Sequence, residues 1–246
     1  MPDRHPESPS PASGHWGRFL QSWGASLLEG LYPGRCALCL DPAPAGLCAG
    51  CVSDLARPGP SCPTCAEPLP FTGGCPSCQR SPPALDAVST PFVYAWPLSH
   101  LLLAYKGGGR PQLARPLGSL LAGHLPETAT GAVDRVIPVP LHEGRLVRRG
   151  FNQAEELARV LCRRRGLFVD TRSVTRVRST PSQQGLSRRA RRANLRGAFA
   201  VSADLSGERI LLLDDVMTTG TTLNELADAV RRAGATRVTA VALARA

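Results

Sequence analysis

Lysine is almost absent: of the 29 cationic residues 28 are arginine, and Lys106 is the one lysine. Aromatic residues make up 5% of the 246-residue chain. Base readout by stacking needs aromatic platforms, yet the arginine-rich stretch 135–197 holds only Phe151 and Phe168. Any nucleic acid would be held there by its backbone. No apolar run approaches the ~18–20 residues of a membrane span; the longest, around Leu101–Ala104 and Ile210–Leu213, fall far short. The polar, Pro/Ser-rich start lacks the apolar region of a secretory signal. Membrane insertion and secretion are therefore not expected and a cytoplasmic location is. In that compartment clustered thiols bind metal more often than they pair.

What the chain does have is positive charge in one place. Residues 135–197 carry 16 arginines against four acids, Glu143, Glu155, Glu156 and Asp170, while the flanking stretches are near neutral. Such a stretch attracts polyanions, either nucleic acid or phosphorylated small molecules. Lys106, in the run Tyr105–Arg110, is a compact point charge of a kind arginine does not replace, and a role facing phosphate is expected.

Residues 1–15 read as a disordered tail. Trp16, Phe19, Leu20, Trp23, Leu27 and Leu31 fall at helical spacing, predicting an amphipathic helix over 16–30 that ends by 35 at Pro33-Gly34. Eight of the nine cysteines follow in 36–80 as four Cys-x-x-Cys pairs: Cys36/Cys39, Cys48/Cys51, Cys62/Cys65 and Cys75/Cys78, with gaps of 8, 10 and 9 residues. One such turn sets two thiolates on one side of a metal and a second completes a tetrahedron. Eight ligands suffice for about two structural zinc ions, with sequential and cross-braced pairing both open. Cys162 stands alone and is expected to be buried as a small apolar residue.

From residue 84 strands and helices alternate to 246. Strands are expected over Asp86–Tyr94, Arg135–Pro140, Asp170–Arg178, Ile210–Asp214 and Thr236–Ala244. Helices are expected over Leu98–Tyr105, Leu113–His124, Gln153–Cys162 and Thr222–Ala233, with Leu141–Asn152 as a loop. That order indicates an α/β fold with a mostly parallel sheet.

Leu211–Thr222 (LLLDDVMTTGTT) is the most specific segment. A strand buried on both faces ends in Asp214 and Asp215, and a loop of Thr218, Thr219, Gly220, Thr221 and Thr222 leads into a helix. In an open α/β sheet this carboxyl edge binds ligands. A helix start with glycine and hydroxyls cradles phosphate, and adjacent acids suit the vicinal hydroxyls of a ribose. A sugar phosphate is the expected ligand. No Walker A pattern occurs.

This segment resembles the signature of type I phosphoribosyltransferases, which bind phosphoribosyl pyrophosphate (PRPP). The four cysteine pairs, Tyr105-Lys106, IPVPLHEGRLVRRGFNQAEELA (137–158) and TPSQQGLSRRARRANLRGAF (180–199) extend the resemblance to the ComF family over roughly 30–246. The triple glycine after Lys106 departs from its usual pattern. The resemblance implies a Rossmann-like phosphoribosyltransferase domain behind a zinc module. It implies that Asp214 and Asp215 hold the ribose hydroxyls and that Thr218–Thr222 hold the 5′-phosphate. Pro138–His142 would contact pyrophosphate, with Arg145, Arg148, Arg149 and Lys106 neutralising the leaving group beside Mg²⁺. Arg188, Arg191 and Arg192 would lie on a loop that closes over the substrate or meets a polyanion. The implied role is PRPP binding, with or without phosphoribosyl transfer, in DNA uptake during natural transformation. Single-stranded DNA and competence machinery such as a helicase are the implied partners. A non-catalytic factor handling single-stranded DNA, or a scaffold working through the zinc module and arginine-rich segment, stays open beside it.

Overall fold

The computed structural model describes residues 34–107, 109–178 and 197–246. The expected helix over 16–30 and the arginines Arg188, Arg191 and Arg192 lie outside them.

Two short helices, α1 (Ala49–Ser53) and α2 (Pro76–Arg80), belong to the cysteine-rich part. Strands β1 (Ala87–Ser89) and β2 (Phe92–Val93) follow, then α3 (Leu98–Gly107) and α4 (Ala114–His124). Next come β3 (Arg135–Pro138), α5 (Glu143–Arg149), α6 (Gln153–Arg165), β4 (Val174–Arg176) and β5 (Phe199–Val201). The chain closes with β6 (Arg209–Met217), α7 (Thr221–Arg232) and β7 (Arg237–Arg245).

The main sheet is parallel throughout, in the order β1-β7-β6-β3, with β2 also pairing β7. Parallel strands covered on both faces need near-continuous apolar runs. Ile210–Leu213 and Ala240–Ala244 are such runs and are entirely buried. Helices cover the sheet with apolar stripes: Leu157, Ala158, Leu161 and Cys162 on α6, and Leu223, Leu226, Ala227 and Val230 on α7, are all buried. Cys162 sits in that stripe as expected.

Three expectations need correction. The segment 141–152 is not all loop: Glu143–Arg149 is helical, its start capped by His142, whose Nδ1 accepts from the Gly144 amide at 3.2 Å. A capping side chain nucleates what apolar periodicity does not mark. The strand expected over Asp170–Arg178 does not join the main sheet as a unit. Only Val169 bridges β3, at Val136, while β4 turns away to pair antiparallel with β5. Finally, β6 continues past Asp214 to Met217, because Val216 and Met217 still pair with Ala244 and Arg245.

The cysteine-rich part shares one apolar core with the sheet; Cys36, Ala43, Leu47 and Leu55 belong to the same cluster as Leu102, Leu117 and Val241. Backbone bonds pin it from Val88 to Pro63 and from Val93 to Ala56, both at 2.9 Å.

Helices α4 and α6 meet where Gly118 faces Val160; a Cβ at Gly118 would stand 2.6 Å from the Val160 Cβ. Glycine to alanine inside an exposed helix stabilises by ~1 kcal/mol. Here we expect Gly118→Ala to destabilise by about 1–3 kcal/mol through overpacking, read as a lower urea midpoint. A raised midpoint would refute the close approach.

Candidate sugar-phosphate and metal sites

The carboxyl end of β6 carries both acids inside the strand. Asp214 is partly exposed and Asp215 is buried. Each carboxylate folds onto the next amide: Asp214 accepts from the Asp215 N–H at 2.9 Å and Asp215 from the Val216 N–H at 2.8 Å. Helix α3 brings in the lone lysine. Leu98, Leu101, Leu102 and Tyr105 anchor it in the core, and the Tyr105 hydroxyl donates to the Gln153 carbonyl at 3.1 Å. Lys106, one residue on, reaches Asp215 with Nζ 2.9 Å from Oδ2. The lysine expected to face phosphate thus neutralises one acid of the pair. Burial pushes the Asp214 carboxyl up to about 8, repulsion from Asp215 adds to this, and Lys106 opposes it.

Beyond Met217, Thr218 is exposed, Thr219 and Thr222 are half-buried and Thr221 is buried. The Thr219 and Thr221 hydroxyls lie 2.8 Å apart. Gly220 takes φ 72° at the start of α7, a region side chains rarely adopt, and no side chain caps this helix. By contrast His142 caps α5 and Asn152 caps α6. The first amides of α7 are thereby left for a ligand to meet.

Arg145, Arg148 and Arg149 share one face of α5 through the i, i+3, i+4 spacing that the helix creates. Burial lowers the Arg145 pKa, and repulsion from Arg149 and Arg148 lowers it further. Arg149 donates to Gln153 Oε1 at 2.7 Å. Arg176 on β4, not singled out from sequence, joins them. Burial lowers its pKa first and Arg145 next, with Asp214 pulling the other way. Nothing in its spacing distinguished it from the other arginines of the stretch. Gln153 is also new: it is buried, its Nε2 has no hydrogen-bond partner among the described residues, and only its place in the RGFNQ block marked it. Asn152 of the same block caps α6 and donates to the Val139 carbonyl at 3.1 Å, fixing the turn after β3.

The cysteines gather as neighbouring knuckles, Cys36/Cys39/Cys48/Cys51 and Cys62/Cys65/Cys75/Cys78, each with its sulfurs within 4.8 Å of one another. Sequential pairing is therefore the arrangement. Cys39 and Cys48, and Cys65 and Cys75, stand 3.6 Å apart at sulfur. A disulfide needs about 2.05 Å, whereas tetrahedral Zn–S bonds of about 2.3 Å put sulfurs roughly 3.8 Å apart. The two groups repeat one geometry. Leu40 and Ala66, each directly after a second cysteine, take positive φ (69° and 56°). Their amides return to the Cys36 and Cys62 carbonyls at 3.0 and 2.7 Å. At Cys36 burial raises the thiol, but amide N–H groups outweigh it and hold it down at about 6, and Cys62 behaves alike. Neighbouring sulfurs drive Cys51 up, while Cys78 rises chiefly through burial. Thiolates packed this closely need a cation to be charged together, and the donor set fits zinc.

Comparison with known proteins agrees. Residues 146–246 match the phosphoribosyl transferase domain family and residues 27–79 the double zinc ribbon domain family. The chain is thus a phosphoribosyltransferase-domain protein with a double zinc ribbon in front. It is 36% identical to "DNA utilization protein YhgH" of Escherichia coli O157:H7, over 84% of this chain and 94% of that protein. It is 34% identical to "Competence protein F" of Haemophilus influenzae, over 86% and 97%. "Competence protein ComFC" of Streptococcus pneumoniae is 28% identical over 81% and 87%. The chain belongs to the ComF family. No helix among the described residues is long and apolar enough to cross a membrane.

We expect metal analysis to return two zinc ions per chain, one for each cysteine group. A chelator should unfold the ribbon, since metal binding and folding of such modules are one equilibrium. A well-folded, metal-free preparation would count against both sites.

Proposed function

We propose that the chain binds PRPP with Mg²⁺ at the carboxyl edge of β6 and that this site serves the uptake or use of DNA. One observation carries the reading: α7 begins without a side-chain cap, one short loop beyond an acid pair of which Asp215 takes the one lysine, Lys106. The 5′-phosphate would meet the first amides of α7 and the hydroxyls of Thr218, Thr219, Thr221 and Thr222. Asp214 would accept from the ribose hydroxyls, with Asp215 held in place by Lys106. Arg145, Arg148, Arg149 and Arg176 supply the positive field for the pyrophosphate, a preorganised arrangement that stabilises a departing anion. Mg²⁺, when bound with the ligand, supplies further neutralisation of the pyrophosphate oxygens. The DNA role is supported by the names of the relatives, a DNA utilization protein and a competence protein. Arg188, Arg191 and Arg192 belong to the polyanion reading by sequence alone.

Calorimetric titration of PRPP with Mg²⁺ should show binding to the wild type that Asp214→Ala/Asp215→Ala loses. Asp214→Asn should weaken binding about 10- to 100-fold, the loss of a hydrogen bond to a charged group of about 1.5–3 kcal/mol. A wild type that does not bind sinks the reading.

A pH dependence follows from Asp214. Ribose hydroxyls favour the carboxylate, so binding lowers a pKa that starts at about 8 and releases a proton. Affinity should therefore rise as pH climbs towards 8 and level off above it. Titrations in buffers of different ionisation enthalpy read the released proton directly. The same release from Asp214→Asn would show that another group is responsible.

A further inference from the structure

A cavity of about 840 Å³ does not lie over the acid pair. It opens between the threonine loop and the second cysteine group. One wall is Thr219, Gly220, Thr221 and Asn224; the other includes Cys65, Cys75, Cys78 and Arg80. No residue of the first cysteine group lines it. The two walls are joined rigidly. Arg245, 8% exposed at the end of β7, donates to the Cys65 carbonyl at 2.8 Å and to the Glu67 carboxylate. Its register partner across the sheet is Met217, the last residue before the threonine loop. The Ala84 amide donates to Asn224 Oδ1 at 2.8 Å, fixing the segment that leads out of the second group. The path from the second group to the loop is thus Cys65, Arg245, Met217, Thr218, through backbone bonds and one buried guanidinium.

We propose that the second cysteine group is a structural wall of the ligand site, so that metal loading at Cys62/Cys65/Cys75/Cys78 and phosphate-ester binding at the threonine loop are thermodynamically coupled. The first group carries no such coupling. The ligand class is a phosphate ester whose phosphate sits on Thr219–Thr221, where the threonine loop borders the cavity, with exposed Arg80 as a cation of the ribbon on the opposite wall. This rests on the reading of the threonine loop as a phosphate cradle. Coupling is reciprocal: zinc in the second group raises affinity for the ester, and the bound ester slows zinc loss from that group alone.

The test is zinc release from the full chain to a chromogenic chelator, with and without PRPP and Mg²⁺. Wild type should lose zinc in two phases, of which PRPP slows one several-fold. Cys78→Ser should lack the phase that PRPP protects. Arg80→Ala, which removes no metal ligand, should retain both zinc ions and bind PRPP several-fold more weakly. If calorimetry shows that wild type binds PRPP while both release phases are unaffected or equally slowed, the coupling is overturned and the phosphate reading stands. If the wild type does not bind PRPP at all, the phosphate reading falls and the coupling falls with it.

Discussion

Everything at the site depends on the parallel pairing of β6 with β7. The ladder runs from Arg209↔Arg237 to Met217↔Arg245, buried on both faces for most of its length. A parallel strand buried this way has no freedom to slip, because a one-residue shift would exchange every side chain between faces. At its carboxyl end the register therefore sets three things together: the depth of Asp214 and Asp215, the start of the threonine loop, and the place of Arg245. The first two form the candidate sugar-phosphate edge and the third holds the zinc ribbon.

Electrostatic imbalance is the second theme, and it recurs at three places. Burial, with repulsion from adjacent Asp215, drives Asp214 towards its protonated form, and Lys106, bonded to Asp215, offsets this only in part. Arg145 and Arg176 are half-buried, which disfavours their charges, and repulsion among arginines adds to it, from Arg149 and Arg148 on Arg145 and from Arg145 on Arg176. Each cysteine group holds four sulfurs within 4.8 Å. Crowding of like ionisable groups is characteristic of functional sites. In the proposed function the acids would meet ribose hydroxyls and the arginines a pyrophosphate, while the thiolates fit zinc. The remote end of the sheet is the counterexample. There Arg135 is met by both Asp170 and Glu208, and the cluster is self-contained.

Much of this was legible in the residues themselves. The four Cys-x-x-Cys turns are local chemistry, and their ligand character needs no tertiary information. The run Leu211–Thr222 combines a buried strand, two acids and a glycine-threonine loop in sequence order, so its strand-loop-helix form could be read directly. Apolar periodicity located α3, α4, α6 and α7 within a few residues. The arginines of 143–149 were legible as charge but not as a helical face, because the helix is nucleated by a histidine cap rather than by an apolar stripe.

What only the tertiary structure decided is who meets whom. Lys106 is 109 positions before Asp215 in the chain, and nothing local distinguishes a lysine that binds phosphate from one that steadies a carboxylate. Arg176 reached the site because β4 leaves the main sheet to pair with β5, a choice made by long-range packing. The cysteine pairing was equally non-local, since sequential and cross-braced arrangements satisfy the same spacings. The placement of the second zinc knuckle against the threonine loop follows from strand order and from Arg245 at the far end of the chain. The sequence by itself determined the chemical groups and their local geometry, because these rest on spacing and side-chain type. Their partners depend on register and packing across a hundred residues or more, and those are settled only when the sheet closes.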